Sequence, residues 1–208
     1  CNNFKSKNLY FIIKKLSYGF VKKYNKRRIN NVYFDNLDKD NYIQSIEGIS
    51  NRFKIRLRWY GKFFRVVENA NLEIKSKKNF IGFKNSYKIN KINIENKIFK
   101  NNKILNEILK NNLEINLLLK NNIVSSVNTY EREYFESFDK KFRITIDYNL
   151  KFFNSNLKIC KKNFNELCII EIKTNLKYLN NISSITEELP FRLSRFSKYT
   201  EGIESFLD

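Results

Sequence analysis

Apolar residues recur at spacings of three and four in two stretches of the chain and alternate with polar residues through most of the rest. Leu9, Ile12, Ile13, Leu16 and Phe20 fall on one stripe and predict a helix over residues 5–24. Ile104, Leu105, Ile108, Leu109 and Leu113 form the second stripe and predict the clearest helix, over 97–120. Period-two alternation predicts strands over 52–60, 71–77, 80–89, 124–138, 142–153 and 168–174, with a short one at 31–35. Residues 38–46 read as a helical turn, Gly61 and Gly82 as turn or bulge points, and a last helix follows Pro190, the only proline. Strands dominate without a regular strand–helix alternation, which favours an antiparallel sheet over a doubly wound one. No Gly/Ser/Pro linker divides residues 1–208, so one domain is expected.

Alternation also sorts the charges. Lys54, Arg56 and Arg58 share a face opposite Ile55, Leu57 and Trp59; Glu73, Lys75 and Lys77 lie opposite Leu72 and Ile74. Tyr130, Arg132 and Tyr134 line up together; Arg143, Thr145 and Asp147 oppose Ile144 and Ile146; Glu171 and Lys173 oppose Ile170 and Ile172. Each strand alone is an ordinary amphipathic strand with one dry and one solvated face. Five of the same design suggest more. If the two helices cover the apolar faces and the sheet curls closed, the charged faces meet inside a barrel. Such an interior is repulsive when dry and favourable when it holds water and a polyphosphate. Arginine at 56, 58, 132 and 143 suits that ligand, because guanidinium makes paired hydrogen bonds to phosphate oxygens. Glu73, Asp147 and Glu171 offer hard oxygen ligands for a divalent ion.

Composition narrows the chemistry. Forty basic against 21 acidic residues leave a net charge of +19, which opposes compaction unless an anion offsets it. Nucleic acid, an anionic membrane surface and ribosome association are the general readings of such charge; a densely charged small anion is the sharper one. Histidine is absent, which excludes Ser-His and Cys-His couples and histidine metal ligands. A metal would then rest on carboxylates and phosphate oxygens, as Mg²⁺ or Mn²⁺ do rather than zinc. Cys1, Cys160 and Cys168 form no C-x-x-C pair and fit reduced thiols in a cytoplasmic protein. No apolar run approaches the ~20 residues of a membrane span. Lys14 and Lys15 interrupt the stretch 9–16 too early for a signal peptide.

The segments N-V-Y-F-D (31–35), K-I-R-L-R-W-Y-G (54–61), L-E-I-K-S-K (72–77), Y-E-R-E-Y (130–134), F-R-I-T-I-D (142–147), I-E-I-K (170–173) and F-S-K-Y-T-E-G (196–202) complete the reading. In this order, over residues 28–204, they resemble the VTC domain, the polyphosphate polymerase domain of the triphosphate tunnel metalloenzyme superfamily. The closing S-K-Y favours that domain over the related CYTH phosphatases and cyclases. The resemblance implies an α+β fold: a closed antiparallel tunnel of about eight strands with flanking helices. It implies ATP-dependent synthesis of inorganic polyphosphate with Mn²⁺ or Mg²⁺, so that ATP and polyphosphate are the partners and no specific nucleic acid is expected. It casts Arg56 and Arg58 as nucleotide-phosphate ligands, Lys75 and Lys84 as further phosphate contacts, and Arg132 and Arg143 as a grip from the opposite wall. Glu171 becomes the metal carboxylate with Lys173 beside it, and Ser197 and Lys198 close one side. Members open with a strand resembling R-Y-E-x-K-Y, whereas this chain starts at Cys1 ahead of the first helix, so the expectation is either an N-terminally truncated sequence or a wall short of one strand. Tyr130 and Tyr134 read as wall packing, Asp35 as a turn or cap residue, and Glu171 with Lys173 also as a plain surface pair. A triphosphatase in the same tunnel and a non-catalytic polyphosphate- or RNA-binding module remain alternatives.

Overall fold

The computed structural model describes residues 6–78, 81–109, 113–160, 164 and 167–207. Helix α1 (Ser6–Lys15) leads into β1 (Val21–Asp35), followed by α2 (Asp40–Ile46), β2 (Arg52–Tyr60), β3 (Arg65–Lys78) and β4 (Ile81–Ile94). A 3-10 stretch (Asn96–Asn102), α3 (Lys103–Leu109) and α4 (Leu113–Leu119) precede β5 (Ile123–Glu136), β6 (Phe142–Phe153) and β7 (Ile169–Thr174). A second 3-10 stretch (Leu176–Asn181), α5 (Ile182–Glu187) and α6 (Lys198–Glu204) complete the chain's elements. The strands form one antiparallel sheet in the order β4-β3-β2-β1-β5-β6-β7. Among the described residues this ladder is open, with β4 and β7 at its ends. The expected closed barrel of about eight strands is thus met as a seven-stranded α+β sheet with flanking helices. No helix among the described residues is long and apolar enough to cross a membrane.

Several elements depart from the periodicity. The first helix stops at Lys15 instead of reaching residue 24; Gly19, at φ 59°, turns the chain, and β1 starts at Val21. The strand expected only at 31–35 therefore runs fifteen residues. The helix expected over 97–120 divides. Asn102, at φ 55°, ends a 3-10 stretch before α3, and residues 110–112 lie outside the described ones. Gly82 is no turn but sits in β4 opposite Lys77, whereas Gly61, at φ 90°, does turn the chain after β2. Cys1, residue 5 and Phe80 also fall outside the described residues.

Two compact units divide the chain, and their boundary falls within β1, β5 and β6. The described parts of 29–129, 151–162 and 197–208 form one unit. There Ile55, Leu57 and Trp59 bury their side chains with Val32, Phe34, Leu72, Ile89 and Ile92, and Ile104, Leu105, Ile108 and Ile115 of the helices close the same core. The described parts of 1–28, 130–150 and 163–196 form the other. There Leu9, Ile13 and Leu16 of α1 pack with Phe135, Phe142, Ile144 and Ile146. In both units helices cover the apolar strand face, as amphipathic strands require, and this fixes the polar face of the same strands. Cys160 and Cys168 are buried thiols.

Candidate functional site

The registers of β2, β3 and β4 assemble a cationic cluster row by row. Lys54 faces Lys75, which faces Lys84 on the next strand; one step along, Tyr33 faces Arg56, which faces Glu73. Like charges set directly opposite one another weaken a sheet, so a cross-strand row of three lysines has a local cost. Glu73, only 3% exposed, offsets part of it. Its Oε2 accepts from Arg56 Nε at 2.7 Å and from Arg56 Nη2 at 2.5 Å, and lies 3.8 Å from Arg58 Nη1; its Oε1 meets Lys84 Nζ at 2.7 Å. Burial alone would raise the Glu73 carboxyl; the Arg56 and Arg58 charges and the bonds from Lys84 and Arg56 outweigh it and hold the group at about 2.

Neutral groups orient the two arginines further. Arg56 Nη1 donates to the Tyr33 hydroxyl at 3.3 Å, so both sides of its donor fork are held. Arg58 Nε donates to Asn31 Oδ1 at 2.9 Å, Asn31 Nδ2 to Asn128 Oδ1 at 2.9 Å, and Asn128 Nδ2 to the Lys198 carbonyl at 3.5 Å. Burial pushes the Tyr33 phenol up, but the charges of Arg56, Arg58 and Lys198 prevail and lower it, which places Lys198 within electrostatic reach of the cluster. Lys54 Nζ donates to Ser197 Oγ at 2.9 Å, and burial, with Arg52 and Arg56 adding to it, pulls the Lys54 ammonium below an ordinary lysine.

Helix α6 is anchored through Ser197 and Tyr199. Ser197 caps it, accepting from Thr200 N at 3.4 Å. Tyr199 is buried, tilts against the Tyr33 ring with centroids 5.1 Å apart, and donates its hydroxyl to Asp35. Asp35 also accepts from the backbone N–H groups of Asn36, Asn41 and Tyr42, the last two at 3.1 Å, and so serves α2 as the cap that Lys39 lacks. The sequence reading of Asp35 as a cap thus holds.

The second unit carries its own polar cluster. Arg132 is bidentate on Asp147, Nε to Oδ1 at 2.5 Å and Nη2 to Oδ2 at 2.7 Å, and both side chains are buried. Burial works against the Arg132 charge, but the Asp147 bonds, Tyr130 and Glu171 hold it more firmly protonated than an ordinary arginine. Its guanidinium lies 5.4 Å from the Tyr130 ring, and Nη2 lies 3.8 Å from Glu171, whose other oxygen is 3.3 Å from Lys173. Arg143 is exposed and in register with Lys173. The metal expectation rests on one half-exposed carboxylate, Glu171: among the described residues no group of three or more Asp, Glu or Cys could hold an ion alone.

The family model for the VTC domain matches residues 4–207. The chain belongs to the VTC domain family. Comparison with curated proteins finds no match. Of the ten residues this family resemblance singled out, the structure gathers Arg56, Arg58, Lys75, Lys84, Ser197 and Lys198 in one unit and Arg132, Arg143, Glu171 and Lys173 in the other. Sequence reasoning put Lys54 on the charged face with Arg56 without casting it as a phosphate contact, and offered Glu73 and Asp147 beside Glu171 as oxygen ligands for an ion; in the structure Glu73 and Asp147 are engaged by arginine. The Asn31–Asn128 relay gave no signal, since asparagine is abundant throughout the chain.

Proposed function

We propose that this VTC domain grows inorganic polyphosphate from ATP by phosphoryl transfer on its cationic strand face. The observation that carries the reading is the convergence of Arg56, Arg58 and Lys84 on one buried carboxylate beside the Lys54–Lys75–Lys84 row. A transferring phosphoryl group asks the protein mainly for positioned positive charge, with little covalent chemistry. Cations oriented beforehand by Glu73, Tyr33 and Asn31 supply it without reorganisation.

In this reading Arg56, Arg58, Lys75 and Lys84 bind the phosphates, with Ser197 and Lys198 beside them, and Arg132, Arg143 and Lys173 supply a second set of contacts. The end of the growing chain, already an anion, attacks the γ-phosphorus. The bond from that phosphorus to the β–γ bridging oxygen breaks, and ADP leaves with the electron pair. No proton has to be removed from the nucleophile, which suits a chain without histidine. A donor set of one carboxylate suits Mn²⁺ or Mg²⁺ carried largely on phosphate oxygens: Glu171 would hold it, and the ion would neutralise charge on the terminal phosphates. The reading extends to a tunnel as the form of the phosphate-binding face and to a cytoplasmic location, where ATP is at hand.

The test is incubation with ATP and Mn²⁺ followed by gel electrophoresis of phosphate polymers. A ladder of long chains that Arg56→Ala reduces at least a hundredfold supports the proposal. Orthophosphate as the sole phosphate product would assign a triphosphatase instead, and tight polyphosphate binding without turnover a binding module.

A further inference from the structure

Thr145 stands on β6 between Arg143 and Asp147 on the same face and is in register with Glu171 across the β6–β7 ladder. It is 8% exposed, and its Oγ1 has no hydrogen-bond partner among the described residues. Both oxygens of Asp147 are taken by Arg132, and the two of Glu171 face Lys173 and Arg132. A buried hydroxyl without a partner is costly, and it persists here inside a cluster otherwise made of charged pairs. Ser126, also buried without a side-chain partner, differs in kind, because its Oγ is packed against Gly202.

We infer that Thr145 is a phosphate-binding residue, its hydroxyl donating to a phosphoryl oxygen of the polyphosphate held beside Arg132, Arg143 and Lys173. The inference rests on the proposed polyphosphate site and adds to it a neutral donor. Arginine and lysine on this face supply charge, while a short, buried hydroxyl on β6, paired on one side with β7, supplies direction. Valine has the shape of threonine without the donor, so the two possible roles have opposite signatures. A hydroxyl with no ligand is better absent, and Thr145→Val then leaves binding unchanged. A hydroxyl that binds phosphate gives a variant at least as stable as the parent and weaker in binding.

The experiment titrates the protein with sodium tripolyphosphate by calorimetry, for the parent, Thr145→Val, Thr145→Ser and Arg56→Ala, with thermal unfolding of each. The expected result is a Kd about tenfold weaker for Thr145→Val, the loss of one charge-assisted hydrogen bond. Thr145→Ser stays within about threefold of the parent, and the Thr145→Val Tm is equal or higher. Parent affinity in Thr145→Val while Arg56→Ala binds weakly would overturn this inference and leave the polyphosphate site standing. A fall in both affinity and Tm for Thr145→Val would make the residue structural and overturn it as well. Failure of the parent to bind tripolyphosphate would overturn the inference together with the site it rests on.

Discussion

Glu73 decides how the cationic cluster behaves at the level of single residues. Its carboxyl titrates at about 2 in place of the ordinary 4.5, so its charge adds stability that is complete above pH 4.5 and is lost as the pH falls toward 2. The displacement corresponds to about 3 kcal/mol, and little of it is screened, because the side chain is almost fully buried. Glu73→Gln should therefore unfold more easily at neutral pH, by up to about 3 kcal/mol, since it leaves Arg56, Arg58 and Lys84 facing one another. Below pH 4.5 the gap should narrow as the parent loses the same charge. Urea denaturation at pH 7, 5, 4 and 3 reads both effects, and parallel pH curves for the two proteins would refute the assignment. Asp147 is the paired carboxylate of the other unit, with both oxygens engaged by one arginine, where Glu73 divides its oxygens between Arg56 and Lys84. Neither role could be read from sequence: alternation puts Glu73 and Asp147 on the charged face, but whether a carboxylate there meets a metal or a guanidinium depends on cross-strand register.

Helix α6 shows how a short element can be set by a few contacts. Its seven residues could not hold a helix alone; Ser197 caps it, Tyr199 ties it to Asp35, and Gly202 lets it approach β5 and β6 closely. A Cβ at 202 would stand 2.2 Å from Ser126 Oγ and 3.0 Å from a Phe152 ring carbon. Gly202→Ala should accordingly cost about 1–3 kcal/mol through displaced packing. Tyr199→Phe should cost a similar amount by leaving the Asp35 carboxylate one donor short. Both should lower Tm and weaken tripolyphosphate binding together, because Lys198 rides on the same helix. A normal Tm in Gly202→Ala would contradict the close approach. The motif S-K-Y-T-E-G was legible as a block, and the structure gives four of its positions separate tasks. The strand bounds 52–60 and 142–153 were legible too, since both strands alternate cleanly over one buried face. The first half of β1 was not. Its residues are all exposed, and Lys22, Lys23 and Lys26 are tied by ion pairs to Glu133, Glu136 and Glu131, so no apolar alternation marks it as a strand.

For the whole molecule the governing quantity is the net charge of +19. Self-repulsion of this size favours unfolding at low ionic strength, and the ion pairs of the fold compensate only locally. Simple salt relieves the repulsion by screening, over a Debye length of about 8–10 Å near physiological strength. A polyanion bound by the native arrangement of Arg56, Arg58 and Lys84 does something different, because it acts only on the folded state. At a hundred times its Kd such a ligand adds about 2.7 kcal/mol, which for a domain near 200 residues corresponds to a rise in Tm of about 5–10 °C. Thermal unfolding with sodium tripolyphosphate, set against sodium chloride of equal ionic strength, separates the two effects. The tripolyphosphate shift should exceed the chloride shift by that margin and should shrink in Arg56→Ala, whose overall charge changes by only one unit. Equal shifts from the two salts would mean that the charge is a diffuse property of the chain's composition and that the strand face holds no phosphate site.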